Sequence, residues 1–128
     1  MEGRVVHFEV PYDDAERAYA FYRDVFEWNL MPMPEMSYTG VMTGPVTDEG
    51  MPTEPGYIGG GMFQRAEGSP VTAPVITLAV DDIEAALKKV GEHGGSTAAE
   101  PMKVGEMGFA AYFRDPEGNL MGLWQSTS

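Results

Sequence analysis

His7–Tyr22 reads HFEVPYDDAERAYAFY, and Val75–Val90 reads VITLAVDDIEAALKKV. Setting Asp14 on Asp82, an offset of 68, also sets Asp13 on Asp81 and Glu16 on Glu84. Each copy reads as a short apolar strand, an acidic turn and a helix. In each, an Asp stands three residues before a Glu, the spacing of a capping box in which Asp13 or Asp81 accepts from the first free amides while the Glu reaches back. The first helix presents Ala15, Ala18, Tyr22, Val25 and Phe26 at spacings of three and four. The second presents Ile83, Ala86, Leu87 and Val90 and stops at Gly91, with Gly94 and Gly95 beyond it.

Short strand candidates follow each helix. In the first half they are Ser37–Thr43 and Tyr57–Phe63, with Leu30 ending an earlier one. In the second they are Ser96–Glu100, Gly108–Arg114 and Leu120–Gln125. Pro- and Gly-rich loops separate them, notably Met31–Met36 and Gly44–Gly56. The chain therefore reads as an α+β domain spanning 1–128, built from two βαβββ modules of about 1–66 and 72–128.

Strand parity assigns faces. Val6, Phe8 and Val10 are expected under the first helix, with Val5, His7 and Glu9 opposite. In the repeat, Ile76 and Leu78 take the helix side, while Val75, Thr77 and Ala79 face away. A sheet whose free face is part polar and part apolar suits the lining of a pocket.

The totals narrow the function. With 128 residues and 43% hydrophobic composition, one compact domain is expected. There is no cysteine, which excludes disulfides, thiolate metal sites, cysteine nucleophiles and iron–sulfur clusters. MEGRVVHFEV has no long apolar stretch behind a basic segment, and no run reaches the length of a membrane span, so the expectation is a soluble cytoplasmic protein with no membrane partner. Lys plus Arg number 8 against 20 Asp plus Glu, a formal net charge of −12. Such a surface repels phosphate backbones and argues against nucleic acid. It suits simple solvation, a salt-rich cytoplasm or a cationic ligand.

VVHFEVPYDDAERAYAFYRDVFEW, VITLAVDDIEAALKKVGEHGG and FRDPEGNLMGLWQ together give the chain a resemblance to the vicinal oxygen chelate superfamily of glyoxalases, bleomycin resistance proteins and extradiol dioxygenases. The resemblance implies curved mixed sheets forming a shared cup, and pairing as a homodimer. It also implies, for the metal-dependent families, one His, Glu or Gln ligand on each of four cup strands. His7 falls on the first of these positions. Val75 stands where a second His is expected, Gly122 where the last carboxylate is expected, and the remaining position lies near Gly59–Gly61. One imidazole cannot hold a divalent ion that needs three or four ligands. With Glu9 on the same strand face a two-ligand site is all that can be assembled, so no metal residues are assigned.

The ligand-binding candidates are His7, Glu9, Thr77, Tyr112 and Trp124. His7 is equally readable as a core histidine bonded to Glu9 or Tyr112. Glu9 is the one candidate general base, should the cup desolvate it. Trp124 shares parity with the bare Gly122 and is expected to wall open space beside it. Tyr112 offers a phenol and Thr77 a hydroxyl. Of ten methionines, Met31, Met33, Met36, Met51, Met102 and Met107 stand in loops, where they fit either adaptable ligand contacts or loop packing. The GGG of Gly59–Gly61 lacks the Lys-Ser/Thr ending and following helix of a phosphate loop, and suits close backbone approach. Metal-independent binding of a small organic molecule in the cup is the leading expectation, with no cofactor. The alternatives are a glyoxalase-like lyase, isomerase or dioxygenase using a divalent metal, and a partner domain whose cup is filled by its own side chains.

Overall fold

A computed structural model describes residues 2–127; residues 1 and 128, the ends of the expected domain span, lie outside the described residues. The elements run β1 (Arg4–Tyr12), α1 (Ala15–Phe26), β2 (Asn29–Met33), a 3₁₀ turn at Pro34–Met36, β3 (Tyr38–Met42) and β4 (Gly60–Gln64). After a long connection come β5 (Val75–Ala79), α2 (Ile83–Glu92), β6 (Ser96–Val104), β7 (Gly108–Arg114) and β8 (Leu120–Ser126). This is the α+β, strand–helix–three-strand pattern written twice. Two compact units result: His7–Pro74, and the described residues up to Val6 with those from Val75 onward. No helix among the described residues is long and apolar enough to cross a membrane.

In the His7–Pro74 unit the strand order is β2-β3-β4-β1, with β1 parallel to β4 and the other pairs antiparallel. The other unit repeats this as β6-β7-β8-β5, with β5 parallel to β8. Mixed sheets follow from the repeat, because a helix must carry the chain from the first strand before the antiparallel strands return.

Several boundaries differ from the sequence reading. The helix caps are Asp14 and Asp82, one residue later than the capping-box reading placed them, and accept from the amides of Arg17 and Ala85 at 3.1 and 3.0 Å. Asp13 instead pairs with Arg65 across 3.2 Å of exposed surface. α2 continues past Gly91 to Glu92, because His93 donates its amide back to the carbonyls of Lys89 and Val90 and prolongs the last turn. β4 starts at Gly60 rather than Tyr57, whose phenol is held by the Pro45 carbonyl at 2.6 Å. β6 outlasts the expected Ser96–Glu100, running through Pro101 at a register shift on the outermost strand of its sheet, where a missing N–H is tolerated.

The two helices are anchored differently. α2 buries Ile83 and Leu87 against Ala111, Phe113 and Leu123, with Leu78 and Val90 packed on the same cluster. α1 buries no residue fully. Its inward stripe is Ala15, Ala18, Tyr19 and Tyr22, all half-buried, so Val25 and Phe26 are not on the core face as expected. Phe21, Val25 and Phe26 are 53%, 55% and 57% exposed. Beneath α1 the contact is partly polar: Tyr19 bonds the buried Thr39 hydroxyl and lies 3.4 Å from the Tyr12 hydroxyl. At the helix end Tyr22 stacks on Trp28 at 4.5 Å, and Trp28 leans on Phe8. The parity reading is right for Phe8 and for Leu78. It fails at Val6 and Ile76, which are exposed, the latter by 47%.

Candidate functional site

On β1, Phe8 points to the helix side while His7 and Glu9 take the opposite face. Register then decides what they meet. Glu9 lies opposite Gly61 of β4, and Gly61 opposite Gly40 of β3. Two residues before Gly40, and on the same face, stands Tyr38, its ring stacked on Phe63 at 6.0 Å and near-parallel to His7 at 6.4 Å. The phenol therefore reaches diagonally over Gly61. A Cβ on Gly61 would collide with the Tyr38 hydroxyl and ring, so only glycine permits this placement. On the reverse face Gly60 makes the same allowance for Phe8, whose ring would lie 2.7 Å from an added Cβ.

The phenol organises the polar groups. Tyr38 donates its hydroxyl proton to Glu9 Oε2 at 3.0 Å, and its oxygen stands 2.8 Å from His7 Nε2. With the hydroxyl proton committed to Glu9, the Tyr38 oxygen accepts from His7, which therefore carries its proton on Nε2. Burial lowers the His7 pKa below its ordinary value, against a smaller raising effect of the Glu9 charge. Neutral imidazole, phenol and buried carboxylate thus form one directed chain. Tyr12, on the helix side, is pushed up to about 12, first by burial and then by its hydrogen bond to Tyr19.

The second unit has the same geometry with different chemistry. Thr77 of β5 lies opposite Gly122 of β8, which lies opposite Tyr112 of β7. A Cβ on Gly122 would sit 2.8 Å from the Thr77 hydroxyl oxygen. Gly122 was expected to border open ligand space; on its β5 side that space belongs to Thr77. Val75 and Thr77 are both buried. Trp124, two residues on, stands between Ala79 and Ala110 and is half-buried. It walls a cavity of about 320 Å³ together with Glu2, Arg4, Ala79, Asp81 and Ser126.

The structure thus brings His7 and Glu9 together in one unit, and Thr77, Tyr112 and Trp124 onto adjacent strands of the other. The partner of His7 is Tyr38, neither Glu9 directly nor Tyr112. Sequence reasoning missed Tyr38, which lay inside a strand candidate with no motif of its own. The available signal was the bare Gly61, whose reading as a site of close approach is met by a side chain of this same chain. Among the described residues, no three His, Asp, Glu or Cys side chains converge as a metal-ligand group. His7 and Glu9 are two donors bridged by a phenol, and their repeat counterparts Val75 and Thr77 add neither imidazole nor carboxylate. The donor set does not fit a catalytic divalent-metal centre.

Residues 4–44 match the family model of the bleomycin resistance protein-like N-terminal domain. The Mycobacterium bovis protein CFP32, whose name assigns it provisionally to the glyoxylases, is 29% identical over 116 residues, covering 88% of this chain; the chain spans only 42% of that relative's length. A glyoxalase/bleomycin resistance protein/dioxygenase superfamily member from Vibrio splendidus 12B01 shares the fold, with a TM-score of 0.61 at 17% identity over 97% of this chain and 99% of that one. So does methylmalonyl-CoA epimerase from Mycobacterium tuberculosis, at 0.62 and 14% over 98% and 89%. The family model, the glyoxylase-named relative and the shared fold together support placing the chain in the vicinal oxygen chelate superfamily.

Two predictions follow from the Tyr38 arrangement. Gly61→Ala should destabilise by about 1–3 kcal/mol through overpacking. In the Gly61→Ala, Tyr38→Ala double variant the losses should fall short of additivity by more than about 0.5 kcal/mol, as urea melts would show; additive losses would mean the two residues do not share this space. The second concerns pH. Because the folded-state pKa of His7 lies below its unfolded value, the unfolded chain binds more protons through that window. Stability should be constant above the ordinary histidine value of about 6.5 and fall as the pH drops from there to the lowered pKa. His7→Gln should flatten that part of the profile in melts between pH 5 and pH 8, roughly the range of histidine titration.

Proposed function

We propose that this chain is a glyoxalase/bleomycin-resistance-like protein that binds a small organic molecule without a metal, in the cup that the superfamily resemblance implies, as one 1–128 domain acting in the cytoplasm. The observation that carries the reading is that a side-chain hydroxyl packs against each of two glycines. Gly61 lies under the Tyr38 phenol and Gly122 beside the Thr77 hydroxyl, where the resemblance places metal-binding side chains. His7 and Glu9, held in fixed orientation by Tyr38, would offer binding groups in one unit, and Thr77, Tyr112 and Trp124 in the other. A polar wall of imidazole, phenol and carboxylate beside apolar rings orients a ligand by a few hydrogen bonds while burying its carbon skeleton. Glu9 is the candidate general base toward a bound molecule. The glyoxylase name of CFP32 favours a second reading, a lyase, isomerase or dioxygenase using a divalent metal.

Elemental analysis separates them. Protein purified without chelator should carry well under one equivalent of zinc, nickel, iron or manganese by emission spectrometry, whereas about one equivalent, lost in His7→Ala, would overturn the metal-free reading and promote the enzyme.

We further propose a homodimer. Phe21, Val25 and Phe26 are exposed together on α1, with the rings of Phe21 and Phe26 6.2 Å apart, an apolar cluster of the kind that marks interaction surfaces. Light scattering at micromolar concentration should give twice the chain mass of 13.9 kDa, and Phe26→Asp should shift it toward the monomer. A wild-type monomer mass refutes the dimer.

A further inference from the structure

We propose that the cavity beside Trp124 is a subsite for a small organic cation, an alkylated ammonium group seated against the indole and held by the carboxylates of Glu2 and Asp81. The inference rests on the small-molecule reading above and names the ligand class for one of its walls.

The recess exists because Trp124 is surrounded by small side chains. Its register partners are Ala79 and Ala110, Gly122 precedes it on the same face, and its Cζ2 would lie 2.9 Å from a Cβ on Gly108. The indole can therefore present ring surface to a cavity of about 320 Å³, room for a ligand of several heavy atoms. An indole is the side chain whose ring quadrupole attracts a cation most strongly.

The polar rim points the same way. Glu2 accepts a hydrogen bond from the Asp81 amide, which fixes its carboxylate at the cavity and leaves further lone pairs for a ligand. The start of α2 lies close by, where an anion would otherwise be favoured. Three amides there are already taken, that of Asp81 before the helix by Glu2, and within it Ile83 by Gln125 and Ala85 by Asp82. Two carboxylates against one guanidinium, Arg4, leave the rim net negative, on a chain with 20 acidic and 8 basic side chains. Long-range attraction and the local rim thus favour the same ligand charge.

Choline and its neutral isostere 3,3-dimethylbutan-1-ol test the assignment in Trp28→Phe protein, where Trp124 is the one remaining indole. Choline should perturb the Trp124 emission at millimolar concentration or below. It should bind roughly tenfold tighter than the neutral isostere, the preference expected from ring and carboxylates acting together. Glu2→Gln with Asp81→Asn should weaken choline but not the alcohol, and Arg4→Gln should tighten choline. Equal binding of the two compounds overturns the cation class while leaving small-molecule binding in place. No response to either overturns the subsite itself, and the wider metal-free reading is then decided by the elemental analysis.

Discussion

A hydroxyl packed over a glycine recurs in both halves of the chain, and the non-helical sheet faces are arranged around it. In one half the Tyr38 phenol crosses Gly61, opposite Glu9; in the other the Thr77 side chain closes on Gly122. Glu9 and Thr77 are related by the same offset that relates Asp14 to Asp82. The two glycines are therefore equivalent positions, and at each an added Cβ would meet a hydroxyl, that of Tyr38 from β3 at Gly61 and that of Thr77 from β5 at Gly122. In the first half the exclusion is strict, since no side chain at Gly61 is compatible with Tyr38 where it stands. The bond from Tyr38 to Glu9, the orientation of His7 and the stack on Phe63 all depend on that clearance.

That constraint also accounts for the character of the candidate site. A buried carboxylate without partners would take up a proton or destabilise the fold. Here Glu9 accepts from a phenol, and the phenol accepts from an imidazole that burial keeps neutral. The result is a hydrogen-bonded run of imidazole, phenol and carboxyl group on one sheet face. At Gly61 and Gly122 the space a side chain would take is met by hydroxyls of this chain.

The halves have diverged most in how they hold their helices. α2 sits on an apolar cluster of Ile83, Leu87, Ala111, Phe113 and Leu123. α1 rests on tyrosines and threonine, with Tyr19 bonded to Thr39, and turns Phe21, Val25 and Phe26 outward. Hydroxyl bonds contribute less net stability than the same area of buried hydrocarbon, because they replace bonds to water. The apolar residues that do not serve the core of this unit are the ones on which the proposed dimer rests.

Much of the fold was legible in the chain itself. The offset of the repeated strand–acidic turn–helix signature gave two βαβββ modules, and period-2 parity put His7 and Glu9 opposite Phe8, because both features are local and periodic. The superfamily resemblance likewise lay in contiguous motifs. Other features had no local signature. The caps slipped by one residue because two Asp stand side by side in each turn, and only backbone conformation at Asp14 and Asp82 selects between them. Periodicity counted Val25 and Phe26 as core because a helix face shows which residues share a side, but not how far the sheet extends beneath it. Tyr38 joined His7 from 31 residues away because strand register carried β3 beside β4. A glycine in a sequence shows only that a side chain is missing; which neighbour occupies the space is settled by strand pairing, and at Gly61 and Gly122 that pairing brought hydroxyls.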